Sequence, residues 1–160
     1  MQLLTFGLGG EPYAIESRHV VEVLPLVPAR PLPGLPDYLL GLITYRGDLV
    51  PLVDLGMRLD AGRAAARLST RVIVVALAGA GDHRLGLVAE HVTAIRSAAD
   101  AAAALPPLQL EAAPYLGRVL RLGGQTVQLL DVDRILPADL LAGLFPAAGA
   151  ASSAGQGSGR

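Results

Sequence analysis

The pattern Gly-x-x-Val-x-Leu-x-Asp occurs twice in this chain, as GDLVPLVDL at residues 47–55 and as GQTVQLLDV at residues 124–132. A Tyr-Leu-(Leu)-Gly segment precedes each copy, at residues 38–41 and 115–117. Further towards the N-terminus, YAIESRHVVEV at residues 13–23 aligns without gaps on LGLVAEHVTAI at residues 85–95. The chain therefore contains an internal duplication of a unit of about 65 residues.

The punctuation of the chain predicts short strands. Its 19 Gly and 12 Pro separate apolar segments rich in Val, Leu and Ile, which is typical of strands. Two stretches are set apart from them: residues 61–69, a short helix or a linker, and residues 97–105, too poor in large apolar residues to belong to a core. We expect a helix at residues 138–145 and a flexible tail at residues 146–160. The predicted strands are residues 3–8, 13–16, 20–24, 38–45, 49–54, 71–78, 85–90, 92–96, 115–122 and 125–131.

One repeat unit of about five strands is too small to bury a core alone, so two must pack together. The sequence therefore predicts a mainly β fold, with two small five-stranded β-barrels back to back in one domain over residues 1–137. We expect the first barrel at about residues 7–66 and the second at about residues 70–137.

Composition excludes several classes of function. The formal net charge is −1, all 13 basic residues are Arg, and Cys is absent. No basic patch for nucleic acid or membranes is expected, nor any disulfide or thiolate metal site. The sequence lacks an uninterrupted apolar stretch of roughly 20 residues and a secretory signal, which predicts a soluble cytoplasmic protein.

The two copies differ most at a predicted hairpin tip. When Gly47 is aligned with Gly124, Arg46 falls on Gly123 and Tyr45 falls on Leu122. An Arg at such a tip can offer its planar guanidinium to a carboxylate or carbonyl of a partner. The alternative is a solvated turn residue that pairs with Asp48.

The first copy also contains a proline-rich segment that the second lacks. Residues 25–36 include five Pro, which makes a stiff, extended segment with few free N–H donors. It is either a rigid connection around one barrel or an edge where a partner docks.

Catalytic and metal-binding patterns were tested and found weak. The Gly-rich residues 7–10 lack the Gly-Lys-Ser/Thr ending of a phosphate loop, and His19, His83 and His91 show no metal-ligand spacing. Asp54 and Asp131 end repeat-related strands and could form a hydrolase dyad or line a small-ligand barrel. A dyad needs a hydroxyl residue after each Asp, whereas Leu and Val stand there. The alternative is that each Asp caps the following turn.

The motifs resemble those of the CheW-like chemotaxis coupling proteins. The N-terminal pattern is Phe-x₃-Gly-x₂-Tyr-Ala-Ile from Phe6, followed by Val-x-Glu-Val at residues 20–23. The segment GLITYRGDLVPLVDL at residues 41–55 contains the quite specific Arg-Gly-x₃-Pro-x₂-Asp-Leu signature. The resemblance covers roughly residues 2–137 and excludes the tail.

The resemblance implies SH3-like barrels. In such proteins the N-terminal strand can pack on the second barrel, so residues 1–6 are assignable to either barrel. It also implies an adaptor with no enzymatic activity, and we expect neither a metal nor a cofactor. Such adaptors bridge the cytoplasmic tip of methyl-accepting chemotaxis receptors and the regulatory domain of a CheA-type histidine kinase. We therefore expect a cytoplasmic protein associated with membrane receptor arrays.

The resemblance also assigns candidate partner-binding residues. Arg46 matches the functional Arg of the family, and Val20, Glu22 and Gly41 match positions at its receptor or kinase surfaces. From the residues alone, Val20 could be a core residue, Glu22 a solvated strand charge, and Gly41 a backbone requirement. Tyr45 stands where the family often has Leu, a departure expected to retune receptor choice. Residues 21–28, 68–71 and 113–117 look most like coupling proteins of the Wsp surface-sensing system.

Overall fold

A computed structural model describes residues 1–78, 83–93, 95–98, 102–105 and 110–145. Residues 79–82, which separate two predicted strands, and the predicted tail at residues 146–160 lie outside these residues. Single 3-10 turns lie at Ser17–His19 and Val132–Arg134, and the helices are α1 (Leu55–Arg58) and α2 (Ala138–Leu144). No helix in the described ranges is long and apolar enough to cross a bilayer. The strands are β1 (Gln2–Leu8), β2 (Glu11–Glu16), β3 (Val20–Pro25), β4 (Leu39–Tyr45), β5 (Asp48–Asp54), β6 (Arg71–Ala76), β7 (Arg84–Ala89), β8 (Ile95–Ser97), β9 (Ala102–Leu105), β10 (Leu116–Leu122) and β11 (Gln125–Leu130).

The mainly β class is confirmed, and each predicted strand overlaps an observed one. The C-terminal helix is also confirmed, and residues 61–69 form a linker without helix. Setting residues 97–105 apart from the strands was wrong, because they contain β9, which pairs with β10 at the edge of a sheet. An edge strand is held by backbone hydrogen bonds on one side, so its apolar content is a weak signal.

The strands form two sheets. The six-stranded sheet has the order β8-β1-β2-β11-β10-β9, and the five-stranded sheet has the order β3-β6-β7-β5-β4. The predicted barrel limits, residues 7–66 and 70–137, are therefore wrong for two hairpins. The β6–β7 hairpin of the second repeat completes the sheet of the first, while β1 and β2 join β10 and β11. The N-terminal strand thus belongs with the second repeat.

The exchange of hairpins preserves the repeat. In the five-stranded sheet, β5 pairs in parallel with β7 and Leu52 lies opposite Gly86. In the six-stranded sheet, β11 pairs in parallel with β2 and Leu129 lies opposite Ala14, the repeat-equivalent pair. Both ways of pairing the hairpins satisfy the same alternation of side chains, so the sequence repeat alone does not distinguish them.

The core is layered. Along β6, Val72 and Val74 face the interior of the five-stranded sheet, while Ile73 and Val75 face the other sheet. Since β6 is buried on both faces, it is a continuous apolar run. The largest apolar cluster contains residues of both sheets, and a smaller cluster fills the inside of each. The apolar cluster between the sheets therefore joins the two halves into one body.

The edges of the five-stranded sheet meet each other. Tyr45 at the end of β4 donates a hydrogen bond to Glu22 of β3, the opposite edge strand, with an Oη–Oε1 distance of 2.6 Å. The proline-rich segment covers β4, because Arg30 and Leu42 exchange two backbone hydrogen bonds of 2.8 and 2.9 Å. The sheet is thus curled, with its edge backbone groups partly covered, as the predicted barrel requires.

Candidate functional site

The turn between β4 and β5 places a non-glycine residue in a left-handed conformation. Arg46 has φ 49° and Gly47 has φ 84°, the signs that a type I′ hairpin turn requires. A side chain in this region costs roughly 1–2 kcal/mol relative to ordinary backbone. Local backbone preference therefore favours Gly at position 46, and the Arg side chain needs another explanation.

The side chain of Arg46 is held by two neighbours. Its Nη2 donates to Glu22 Oε1 at 2.9 Å, and the same oxygen accepts the Tyr45 hydroxyl at 2.6 Å. The guanidinium carbon lies 5.1 Å from the centre of the Tyr45 ring, within cation–π range. Arg46 therefore pairs with Glu22 on another strand, not with Asp48 as the solvated-turn alternative supposed.

The Arg46–Glu22 pair lies at the surface. The Arg46 side chain is 65% exposed and the Glu22 side chain is 39% exposed. An exposed pair of this kind stabilises a protein by at most about 1 kcal/mol. Its larger effect is geometric, because it orients a guanidinium whose other N–H donors make no hydrogen bond to any residue that the structure describes.

Tyr45 connects this surface to the core. Its ring packs in the cluster inside the five-stranded sheet, and Arg84 of β7 places its guanidinium carbon 5.7 Å from the ring centre. The pKa of Tyr45 is raised, first because its hydroxyl donates a hydrogen bond to Glu22 and second because of burial. The charges of Arg46 and Arg84 oppose this shift. The hydroxyl is thus kept as a donor to Glu22.

Val20 and Gly41 lie near this network but outside it. Val20 begins β3 opposite Val75 and packs partly against the core between the sheets, as its core interpretation supposed. Gly41 is buried with φ 137°, and a Cβ there would lie 2.0 Å from the Arg30 carbonyl oxygen. The close approach of the proline-rich segment therefore requires Gly at position 41. Glu22, Tyr45 and Arg46 are the predicted site residues that the fold brings together.

The two aspartates cap separate turns. Asp54 accepts hydrogen bonds from Met57 N at 3.2 Å and Ala64 N at 3.1 Å. Asp131 accepts one from Asp133 N at 3.1 Å. A surface groove of about 460 Å³ is lined by Asp131 but not by Asp54. This geometry removes the basis for a dyad that shares a proton, and apolar side chains fill both sheet interiors where a small ligand would lie.

Metal binding finds no support in the described ranges, which contain no group of three or more His, Asp and Glu side chains arranged to hold an ion. His19 lies 3.8 Å from Glu16, and His83 stacks on Phe145 at 4.3 Å.

Sequence reasoning missed two arginines. Arg84 aligns with Pro12 in the repeat, so no pattern marked its contact with Tyr45. Arg58 of α1 contacts the rings of both Tyr38 and Tyr115. Those two tyrosines occupy equivalent positions in the two repeats. Their equivalence was the one sequence signal that could have pointed to a residue in contact with both repeats.

Comparisons with known proteins bear on the family and the fold of this chain. The CheW-like domain matches residues 2–139. The chain is 28% identical over 140 residues to chemotaxis protein CheW of Rhizobium meliloti (strain 1021), covering 86% of this chain and 88% of the relative. It is 31% identical over 138 residues to protein FrzA of Myxococcus xanthus, covering 84% of each. The crystal structure of the scaffolding protein TtCheW from Thermoanaerobacter tengcongensis superposes with a TM-score of 0.73 at 21% identity, covering 86% of this chain and 88% of that one, which supports the fold.

Proposed function

The chain belongs to the CheW-like family of chemotaxis scaffolding proteins, and from this membership we propose that it couples a methyl-accepting chemotaxis-type receptor to a CheA-type histidine kinase. Members of this family are adaptors and not enzymes, so the function resides in surfaces. We assign one partner contact to the tip of the β4–β5 hairpin, where Glu22, Tyr45 and Arg46 meet. The protein would act in the cytoplasm, beside receptor arrays.

The orientation of Arg46 carries this proposal. Its backbone adopts a conformation that favours Gly, and its side chain is fixed by a carboxylate and an aromatic ring while 65% exposed. A side chain ordered before binding loses less conformational entropy when a partner arrives. The guanidinium N–H donors that make no hydrogen bond to a described residue suit a carboxylate or a carbonyl of the partner.

The surface-sensing output is a finer proposal. Its support is the similarity of residues 21–28, 68–71 and 113–117 to Wsp coupling proteins. Within residues 21–28, Val23, Leu26 and Val27 are exposed apolar side chains. Apolar side chains of this kind can be buried in the core of an interface. We expect tighter binding to a kinase regulatory domain of the surface-sensing type than to one of the flagellar type.

Calorimetric titrations test the assignment. The kinase regulatory domain and a fragment of the receptor tip are titrated separately into the wild type, Arg46→Glu and Arg121→Glu. Arg121 is an exposed residue of β10 without an ion pair to any described residue, so it controls for charge reversal. We expect Arg46→Glu to weaken at least one partner by about 30-fold or more, the loss typical of a hot spot, and Arg121→Glu to bind normally.

The partner whose affinity falls shows whether Arg46 lies at the kinase-binding surface or at the receptor-binding surface. Unchanged binding of both partners by Arg46→Glu would show that the site is wrong. Failure of the wild type to bind either partner would refute the coupling function itself.

A further inference from the structure

Arg58 makes three contacts from the end of α1. Its Nε donates to the backbone carbonyl of Ile135 at 2.6 Å. Its guanidinium carbon lies 5.1 Å from the ring centre of Tyr38 and 4.8 Å from that of Tyr115. Both rings are within cation–π range, so a half-buried cation is placed against two aromatic rings and one carbonyl.

The contacts of Arg58 reach both sheets. Tyr38 precedes β4 of the five-stranded sheet, and its carbonyl accepts from Asp54 N at 2.8 Å. Tyr115 precedes β10 of the six-stranded sheet, and its carbonyl accepts from Asp131 N, also at 2.8 Å. The two tyrosines occupy the same place in the two repeat units, and Arg58 contacts both.

The third contact of Arg58, its hydrogen bond to the Ile135 carbonyl, joins equivalent positions of the two repeats. In the register that aligns Gly47 with Gly124, Ile135 is the repeat equivalent of Arg58. Ile135 is fully buried and follows the 3-10 turn at Val132–Arg134. Carbonyl groups at the end of a helical turn lack partners within the turn. Arg58 satisfies the Ile135 carbonyl and thereby ties the end of one repeat to the end of the other.

Apolar packing and these contacts act differently on orientation. The large cluster between the sheets resists their separation, but burial of apolar area is non-directional. A hydrogen bond to a fixed carbonyl depends on angle as well as on distance, and cation–π contacts with two rings add further directional constraints. Arg58 therefore restricts small rotations of one sheet against the other more than an apolar side chain of equal size would.

We propose that Arg58 is a positioning residue that fixes the relative orientation of the two sheets, and thereby the geometry at which two bound partners are held. The second part rests on the proposed coupling function. A rotation at Arg58 would displace the β4–β5 hairpin tip relative to the six-stranded sheet without altering the residues at that tip. Loss of Arg58 should therefore affect signal transfer between partners more than the binding of either partner alone.

Three variants separate the effect of the Arg58 charge from that of its planar guanidinium and from that of losing an Arg elsewhere. Arg58→Met keeps the apolar length of the side chain and removes its charge and N–H donors. Arg58→Lys keeps the charge but loses the planar guanidinium. Arg63→Met is the matched control, since Arg63 is an exposed residue of the neighbouring linker. If Arg58→Met does not fold, Tyr115→Leu removes one of the two rings and replaces it in the test.

The first readout is the orientation of the sheets, measured by residual dipolar couplings of backbone amides in the full chain. We expect the wild type and Arg63→Met to fit one alignment tensor across both sheets. For Arg58→Met we expect the two sheets to need separate tensors, and for Arg58→Lys an intermediate result. A single tensor for Arg58→Met, equal to that of the wild type, would overturn the proposal whatever the partners do.

The second readout is receptor-dependent stimulation of the kinase, compared with the affinity for each partner alone. We expect Arg58→Met to reduce stimulation by about fivefold or more, as for coupling between two sites, and to change each binary affinity by less than about twofold. Separate tensors with unchanged stimulation would overturn the link to coupling. If the wild type binds no partner, the coupling function fails, while the dipolar couplings still decide the role of Arg58.

Discussion

The two hairpin tips of the duplicated unit share a backbone and differ in chemistry. The β4–β5 tip has φ 49° and 84° at Arg46 and Gly47, and the β10–β11 tip has φ 58° and 80° at Gly123 and Gly124. Two glycines meet this requirement without strain, so the fold alone asks for nothing more. The Arg at the first tip is therefore best explained by what its side chain does.

The two tips also differ in where their nearest cationic side chain comes from. At the first tip, the turn itself supplies a cation, which Glu22 and Tyr45 hold at the surface. At the second tip, Arg96 of β8 reaches across, and its Nη2 would lie 2.7 Å from a Cβ added at Gly123. The second turn is thus a place where a neighbouring side chain packs, while the first presents its own. We infer that residues which depart from the repeat are better candidates for a function than residues that obey it.

The largest expected effect concerns the glycines that follow the repeated Tyr-Leu segments. A Cβ at Gly41 would lie 2.0 Å from the Arg30 carbonyl oxygen, whereas one at Gly117 would lie 3.1 Å from the Leu129 carbonyl oxygen. Gly41 also has a positive φ. We expect Gly41→Ala to lower the free energy of unfolding by about 3 kcal/mol or more, and Gly117→Ala by about 1 kcal/mol. Urea denaturation followed by circular dichroism measures both. Equal losses in the free energy of unfolding would show that the proline-rich segment moves away from position 41 at little cost.

A smaller effect is expected at the two capping aspartates. Asp54 is 2% exposed and accepts two backbone hydrogen bonds, while Asp131 is exposed and accepts one. We expect Asp54→Ala to lower the free energy of unfolding by about 2–3 kcal/mol, because the N–H groups of Met57 and of the half-buried Ala64 both lose their acceptor. Asp131→Ala should cost about 0.5–1 kcal/mol. The same denaturation experiment checks this order, and a reversed order would contradict the cap assignments.

The smallest effect concerns the pH dependence that Tyr45 contributes. Its pKa in the folded protein is raised above 10.0, so the stability that its neutral form contributes is fully present below about pH 10 and is lost as the pH rises through the folded pKa. Glu22→Ala removes the acceptor and with it the first cause of the shift, so we expect the pKa of Tyr45 to move back towards its ordinary value.

Carbon-13 NMR of the tyrosine ring carbon that bears the hydroxyl resolves the titration of each tyrosine. Tyr13, whose raised pKa has burial as its first cause, serves as the internal control. An unchanged pKa of Tyr45 in Glu22→Ala would contradict the assigned hydrogen bond.

The sequence predicted local structure better than pairing over distance. The strands and the two caps follow from apolar patterns and from an Asp at the end of each repeat strand. The exchange of the β1–β2 and β6–β7 hairpins could not be predicted, because equivalent registers serve both arrangements. At the site, Arg46 was predicted as a distinct residue, but its partner was not. Asp48 is near in sequence, whereas Glu22 reaches Arg46 only because the two edges of the sheet meet.

The most direct test of the difference between the tips is Arg46→Gly, which gives the first turn the Gly-Gly pair of the second. Unfolding and binding of both partners are measured on the same preparation. Relief of the left-handed strain offsets loss of the exposed pair, so we expect the free energy of unfolding to change by less than about 1 kcal/mol. Affinity for at least one partner should fall by about tenfold or more. Retained affinity for both the receptor tip and the kinase regulatory domain would contradict the account, because Arg46 would then be only a feature of the turn.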